Sequence, residues 1–505
     1  MSKFDYIIAG AGSAGCVLAN RLSEDPQCRV LLLEAGPRDT NPWIHVPLGY
    51  GKLFTRSDVN WAYESEPEAA LNGRRIFTPR GKVLGGSSSI NGLVYIRGQR
   101  EDFDGWGIPG WDFDALRPYF EKAERQLRVS DLERHELCEA FIASAASLGI
   151  PRNDDFNGPS QEGTGYYRAT SYRGRRQSTA VAYLREAEKR PNLRVEVNAL
   201  ATKILFEGTR AVGIQYKNQT AFANQEVILC GGAFNSPQLL QLSGVGPRAL
   251  LERHGIAVVH DSPRVGENLQ DHFYARTFWR CSRPITLNDD MASLWRKAGI
   301  GLKYLLFKQG PLTVSAGHAA AFVRTRPQLS RPDAQIYFIN FSSAKRGGFL
   351  HPHSGFTCAV SQLQVESRGS SHIRSADPAA APSIRYNYLA TENDRRVMVD
   401  GLKFVRKICS TPPMRDYVAA EFMPGDKVRS DEEWLAYCRE MGETVFHPTS
   451  TCSIGAVVDE QLKVKGTHNL RVVDASVMPA VPSGNINAAV IAVAEKGADL
   501  VKRAQ

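Results

Sequence analysis

Gly10, Gly12 and Gly15 stand in GxGxxG spacing after the apolar run Tyr6-Ile7-Ile8-Ala9, and Glu34 closes a second apolar run, Val30-Leu31-Leu32-Leu33. Three glycines and a carboxylate so placed have the chemistry of a dinucleotide grip. Gly10 permits a tight turn, Gly12 lets backbone N–H groups approach a pyrophosphate, and Gly15 lets a helix lie close to a strand with its N-terminus toward the anion. Glu34 offers acceptors to ribose hydroxyls. The grip needs strand, turn, helix and second strand in that order, and residues 4–34 supply them, with Val17, Leu18, Ala19 and Leu22 as the apolar face of the helix. On these residues alone, NAD and FAD are equally open.

Two further stretches concentrate glycine. Gly85-Gly86-Ser87-Ser88-Ser89-Ile90-Asn91-Gly92 exposes backbone N–H groups and hydroxyls to something flat or anionic, as a cofactor wall requires. The strand-like Glu226-Val227-Ile228-Leu229 runs into Gly231-Gly232, where Asn235 and Ser236 read as caps of a helix over residues 237–242 with Pro237 at its first position.

Around these motifs the chain has room for about two or three domain-sized units in 505 residues. Its 43% hydrophobic and 23% charged residues are those of an ordinary globular protein. No run of eighteen apolar residues is present, and the first strand begins too early for a secretory leader, so a cytoplasmic protein is expected. Nine cysteines without a CxxC pair suit buried, reduced thiols. The net charge of +9 is spread along the chain, and its clusters, Arg173 to Arg176 and Arg395-Arg396, are short. A solvated basic surface accounts for them better than a nucleic-acid site, and loose association with the inner face of an anionic membrane stays open.

Periodicity predicts helices over 115–127, 137–148 and 179–188 and a small β-layer made of four strands at 193–197, 204–206, 211–216 and 226–229. Alternating runs at 334–340 and 356–364 predict a mainly antiparallel sheet, followed by helices over 394–409 and 431–441. A strand at 469–473 and a helix over 488–501 end the chain.

The three glycine stretches, in this order, together with Val265-Gly266-Glu267-Asn268-Leu269-Gln270-Asp271-His272 and Val472-Val473-Asp474-Ala475-Ser476-Val477-Met478-Pro479, resemble the glucose-methanol-choline (GMC) oxidoreductases over essentially the whole chain. Within that family the sequence is most similar to the bacterial alcohol and choline dehydrogenase branch. The resemblance makes the cofactor FAD. It implies an α/β fold, a Rossmann-like FAD-binding domain (1–275, with 441–505 returning to it) interrupted by an α+β substrate domain (276–440) built on a mainly antiparallel sheet. It implies cofactor contacts from Gly10, Gly12, Ser13, Ala14 and Gly15, from Glu34 and Ala35, and from Gly85, Ser87, Ser88, Asn91 and Gly92. Ala201, Asp474, Ala475, Asn485 and Ala488 complete that set.

The resemblance also implies a base in Glu443-Thr444-Val445-Phe446-His447-Pro448, at His447, with Asn487 as its partner. The chemistry agrees, because alcohol oxidation removes a hydroxyl proton while hydride leaves carbon for flavin N5, and imidazole titrates near neutrality. His272 and His318 are expected to be core or surface residues like most of the eleven histidines. The N-terminus of the last helix is expected to face the flavin pyrimidine ring and favour negative charge there.

Three positions depart from the family pattern. Ile90 stands where some members tether FAD through histidine, so FAD is expected to be non-covalent. Asn487-Ala488-Ala489-Val490 replaces Asn-Ala-Pro-Thr, losing a hydroxyl. Ser450 replaces a glycine beside the catalytic loop and is expected to narrow the pocket. Trp61, Tyr63 and Phe446 hint at aromatic walls. The expected reaction takes hydride from an alcohol and passes electrons to a quinone or another carrier. An oxidase using O₂, a non-redox hydroxynitrile lyase and a NAD dehydrogenase are the alternatives, and no metal is expected.

Overall fold

The computed structural model describes residues 2–344 and 348–503. Its cofactor half is one sheet in which Leu193–Glu196, Val30–Leu33, Ser2–Ala9 and Gln219–Leu229 run parallel, with Tyr6 opposite Val30 and Ala9 opposite Leu229. Val30–Leu33 is buried throughout, as the unbroken apolar run demands of a strand covered on both faces. The helix Ser13–Leu22 covers one face, burying Val17, Leu18, Ala19 and Leu22, and packs against the terminal helix Asn487–Lys502.

The four strands between residues 193 and 229 do not form a layer of their own. Leu193–Glu196 joins the outer edge of the parallel sheet beside Val30–Leu33, while Ala201–Glu207 and Arg210–Tyr216 make an antiparallel meander on the other side. The strand Gln219–Leu229 makes this possible because it is 11 residues long. Along one edge its first part pairs with Arg210–Tyr216 and its last part with Leu470–Val472.

The helix after the second glycine turn also differs from expectation, running over Gly232–Leu242 with Asn235, Ser236 and Pro237 inside it. Proline leaves the carbonyl four residues earlier without its intrahelical donor. Here that carbonyl is Ala233, and the Thr451 hydroxyl donates to it at 2.6 Å. The helix expected over 179–188 is a π turn, Ala180–Leu184, continued by Arg185–Ala187.

The second half is an antiparallel sheet in the order Val418–Met423, Phe273–Cys281, Gly355–Gln362, Ala334–Ile339, Ala319–Val323 and Gly163–Tyr166. Its three inner strands from Ala319 to Gln362 are buried along their full length, with the helices Glu136–Ser147 and Glu392–Cys409 packed on one face. The short strand Glu443–Thr444 pairs with Phe273 and Tyr274, which brings the segment carrying His447 alongside the segment carrying His272.

Candidate active site

A cavity of about 1050 Å³ runs between the two halves, from Gly10 and Glu34 at one end to Ile300 and Phe349 at the other. Its inner end is built by two glycine loops in contact. A Cβ on Gly86, whose φ is +53°, would stand 2.6 Å from the Gly12 Cα, and the Gly85 N–H donates to the Ala11 carbonyl at 2.8 Å. Gly12 caps the helix Ser13–Leu22 without a side-chain acceptor, leaving the helix N-terminus open to an anion. Gly15 does the packing expected of it, since a Cβ there would lie 1.9 Å from the Gly10 carbonyl oxygen. The Glu34 carboxylate accepts from Ala11 N at 3.0 Å and Gly36 N at 2.9 Å, and burial raises its pKa to about 7.

Gly10, Gly12, Ser13, Ala14, Glu34 and Ala35 line this end, Ser87, Asn91, Gly92 and Ala201 line its walls, and Asp474, Ala475, Asn485 and Asn487 close it from the C-terminal segment. Gly15, Gly85, Ser88 and Ala488 lie behind the wall. Ser88 donates to the Gly85 carbonyl at 2.6 Å and accepts from Thr179 N at 3.0 Å, so it shapes the loop. Asp474 accepts from Gly232 N and from the hydroxyls of Ser236 and Ser476, tying the C-terminal segment to the second glycine turn.

Arg176 is not part of a solvated cluster. Fully buried, it donates to the Ile44 and Ser88 carbonyls and, at 2.7 Å, to Asn91 Oδ1, and burial lowers its pKa to about 9. It thereby fixes the glycine-serine loop from behind.

At the meeting of the two halves the hydrogen bonds around His447 run in one direction. His272 Nε2 lies 3.1 Å from the Leu363 carbonyl, which can only accept, so this nitrogen carries the proton. Burial lowers the His272 pKa to about 4 and keeps the ring neutral, leaving its Nδ1 an acceptor. His447 Nδ1, 3.0 Å away, is therefore the donor, and in the neutral ring its Nε2 holds the lone pair. The far end agrees. Asn485 Oδ1 accepts from Gln335 Nε2 at 3.2 Å and lies 3.4 Å from the Tyr337 hydroxyl, whose proton goes to Gln335 Oε1 at 2.9 Å, so its amide N–H₂ is turned toward His447 Nε2, 3.2 Å away.

The partner of His447 is thus Asn485 and not Asn487. Both line the cavity, but Asn485 lies in the turn before the terminal helix, where Gln335 and Tyr337 fix it. Asn487 is the first residue of that helix and accepts from the Ser13 hydroxyl at 2.7 Å, joining the two helix N-termini that face the cavity.

Asp271 secures the backbone. One of its oxygens accepts from His447 N at 2.6 Å, the other from the hydroxyls of Tyr388 and Thr444, and burial raises its pKa to about 6. Phe446 and Ser450 flank the site with φ of +73° and +77°. Ser450 is buried and does not border the cavity, so it does not narrow the pocket. A non-glycine residue in the left-handed region costs about 1–2 kcal/mol, which is the physical reason for glycine there. Ile90 borders the cavity and offers no nucleophile for a covalent link. Trp61 and Phe446 also border it, while Tyr63 stacks behind Trp61 at 5.6 Å.

Residues 4–274 and 365–494 match the N- and C-terminal parts of the GMC oxidoreductases. The chain is 41% identical to an oxygen-dependent choline dehydrogenase of Photobacterium profundum, over 99% of its own length and 93% of that protein's. It is 42% identical to an alcohol dehydrogenase [acceptor] of Pseudomonas putida, over 99% and 96%. Its fold matches the crystal structure of pyridoxine 4-oxidase from Mesorbium loti with a TM-score of 0.89 and 30% identity, covering 98% of both chains. The Aspergillus oryzae formate oxidase matches with a TM-score of 0.93 and 27% identity, over 100% of this chain and 99% of that one. With its cofactor cradle and its histidine between the two halves, the chain belongs to the GMC oxidoreductase family and is an FAD-dependent oxidoreductase acting on CH–OH donors.

Proposed function

We propose that His447 is the base that takes the hydroxyl proton of an alcohol, through Nε2, and that the alcohol is neutral with an apolar body. The one-way hydrogen-bond chain from Leu363 through His272 to His447 carries the first part, because it leaves Nε2 as the unprotonated nitrogen on the cavity wall. Asn485 donates to the same region and orients the substrate oxygen. When bound, FAD supplies the hydride acceptor. The residues fit it: the glycine loops leave a cradle that a Cβ would fill, the two helix N-termini lack side-chain caps, and the one cavity joins Glu34 to His447. With Ile90 on the wall, FAD is held without a covalent bond. We take the FAD-binding part as 1–275 with 441–505 and the substrate part as 276–440. Gly163–Tyr166 and Glu443–Thr444 reach into the antiparallel sheet from outside the latter range.

The second part rests on charge. Among the described residues, the carboxylates bordering the cavity are Glu34 and Asp474, both engaged by backbone and hydroxyl donors at the cofactor end. Lys52, Arg80, Arg276 and Lys297 are its cations, and Leu287, Met291, Leu312, Ile339 and Phe341 its apolar wall. A quaternary ammonium group finds no free carboxylate there, whereas an alkyl chain finds an apolar surface. The relatives named for choline therefore do not set the substrate. Electrons pass to a quinone or a similar carrier, in a cytoplasmic setting that suits nine buried, unbridged cysteines.

Anaerobic flavin bleaching tests this reading. The tert-butyl isostere of choline bleaches the flavin faster than choline itself, and His447→Ala lowers the rate by roughly 10²–10⁴-fold with FAD retained. Preference for choline overturns the substrate class, near-normal reduction in His447→Ala overturns the base, and absence of bleaching by any alcohol favours a lyase. Reoxidation in aerated buffer with stoichiometric H₂O₂ overturns the carrier.

A further inference from the structure

The helix Leu294–Phe307 is apolar on the side turned away from the protein. It buries only Tyr304, whose hydroxyl donates to the Gly174 carbonyl at 3.0 Å. Six of the eight large apolar side chains exposed among the described residues lie in this helix, with Trp295 89%, Leu294 82%, Leu305 70% and Leu302 57% exposed. Trp295, Ala298, Leu302, Leu305 and Leu306 recur at three- and four-residue intervals, so they form one stripe. A globular helix ordinarily turns such a stripe inward, and a patch this concentrated marks an interaction surface. The helix is well formed, its N-terminus capped by Ser293. Its other side, at Lys297, Ile300 and Gly301, lines the active-site cavity, as does Phe349, which is itself 96% exposed.

We propose that this helix docks the enzyme onto an anionic phospholipid bilayer, lying in the plane of the headgroups. The charge around the stripe favours that occupant. Arg296, Lys303 and Lys308 belong to the helix and its C-cap, and the exposed Arg173 and Arg175 flank Gly174, the residue that holds Tyr304. The carboxylates paired with this group are Asp290, 3.8 Å from Arg296, and Glu133, 3.8 Å from Lys303. A second copy of the chain would bring the same cations face to face, whereas anionic headgroups complement them. The helix spans about 21 Å, short of the roughly 30 Å hydrocarbon layer, and no described helix is long and apolar enough to cross a membrane. A tryptophan beside leucines, edged by basic residues, suits the interface itself. Docking does not depend on the substrate reading. If both hold, the cavity opens beside the bilayer, where an apolar alcohol and a lipid-soluble carrier are dissolved.

Co-sedimentation of the FAD-loaded enzyme with vesicles, without substrate, tests the proposal. The enzyme pellets with phosphatidylcholine vesicles containing about one quarter phosphatidylglycerol and much less with pure phosphatidylcholine, and added salt releases it. The combined variant Trp295→Ser, Leu302→Ser and Leu306→Ser keeps its flavin spectrum and lowers the vesicle-bound to free ratio by at least about tenfold. Equal pelleting of variant and parent, or no pelleting of the parent, overturns it. A lipid-free dimer that the variant dissolves overturns it too, by showing that a second copy covers the stripe.

Discussion

His272 and His447 meet through their Nδ1 atoms, 3.0 Å apart, and this contact decides which nitrogen of a neutral His447 carries the proton. The two rings are brought together by β-pairing, Phe273 opposite Thr444 and Gln270 opposite Thr449. A neutral His272 whose proton is spent on Leu363 can only accept from His447. His272 is thus a positioning residue for the proposed base, and it touches no substrate.

Removing that acceptor frees the His447 proton to sit on either nitrogen. We expect His272→Leu to lower the anaerobic flavin-reduction rate at least about tenfold and to change its pH profile, with FAD retained. His272→Gln can accept from His447 and donate to Leu363, and should recover part of the rate. Equal losses in both variants would show that His272 contributes only packing.

The two asparagines of the C-terminal turn are expected to separate in their effects. Asn485→Ala removes a donor aimed at the region of the reacting oxygen and should lower flavin reduction at saturating alcohol by about 10²-fold. Asn487→Ala breaks the bond to Ser13 between the two helix N-termini and should weaken FAD retention more than the rate. Stopped-flow reduction and FAD release on dilution read the two effects independently.

The cofactor end was legible because its signals are local. Strand, glycine turn and helix follow one another within residues 4–34, and an apolar run such as Val30–Leu33 has few structural readings. His447 was reached through the long motifs of the family. The rest depends on contacts between distant segments, which leave no periodic trace. His272 sits 175 positions from His447, and Arg176, in a run of basic residues, gives no local sign that Ser88 and Asn91 surround it. Asn485 and Asn487 are two positions apart, and only the placement of Gln335, Tyr337 and Ser13 distinguishes them. The helix Gly232–Leu242 passes through its proline because of a compensating donor, Thr451, that lies 218 positions from Ala233 and leaves no local sign.

The contact between the two glycine loops predicts a loss of cofactor without a loss of chemistry. Gly86→Ala would force its Cβ against Gly12, so one loop must retreat from the other. Glu34→Ala removes the acceptor for Ala11 N and Gly36 N and the carboxylate expected to meet the ribose. Each substitution should raise the FAD dissociation constant by about tenfold or more, the order of one or two lost hydrogen bonds to a charged group. Flavin reduction measured with excess FAD should change far less. Unaltered FAD affinity in both variants would remove this end of the cavity from cofactor binding.

The buried histidines give the protein a pH dependence of definite sign. His272 and His318 are both held near pH 4 by burial, against an ordinary value near 6.5. The unfolded chain therefore binds their protons first as pH falls. The stability each contributes is full above about pH 6.5 and is lost on descent through about pH 4, on the order of 3 kcal/mol per histidine. Glu34 and Asp271 act oppositely. Burial raises them to about 7 and about 6, so their contribution is full below the ordinary carboxylate range and is lost as pH rises through those values. The wild-type curve between pH 4 and 6.5 is a partial cancellation, and a variant is needed to resolve it. His318 is the suitable site, because it borders no part of the cavity, its Nε2 donates to the Glu133 carbonyl at 2.6 Å, and its Nδ1 is buried without a protein partner among the described residues. His318→Gln can keep the one donor and cannot titrate. Its stability relative to wild type, from urea unfolding at several pH values, should improve by up to about 3 kcal/mol between pH 7 and pH 4. A difference independent of pH would show that His318 protonates equally in the folded and unfolded chain.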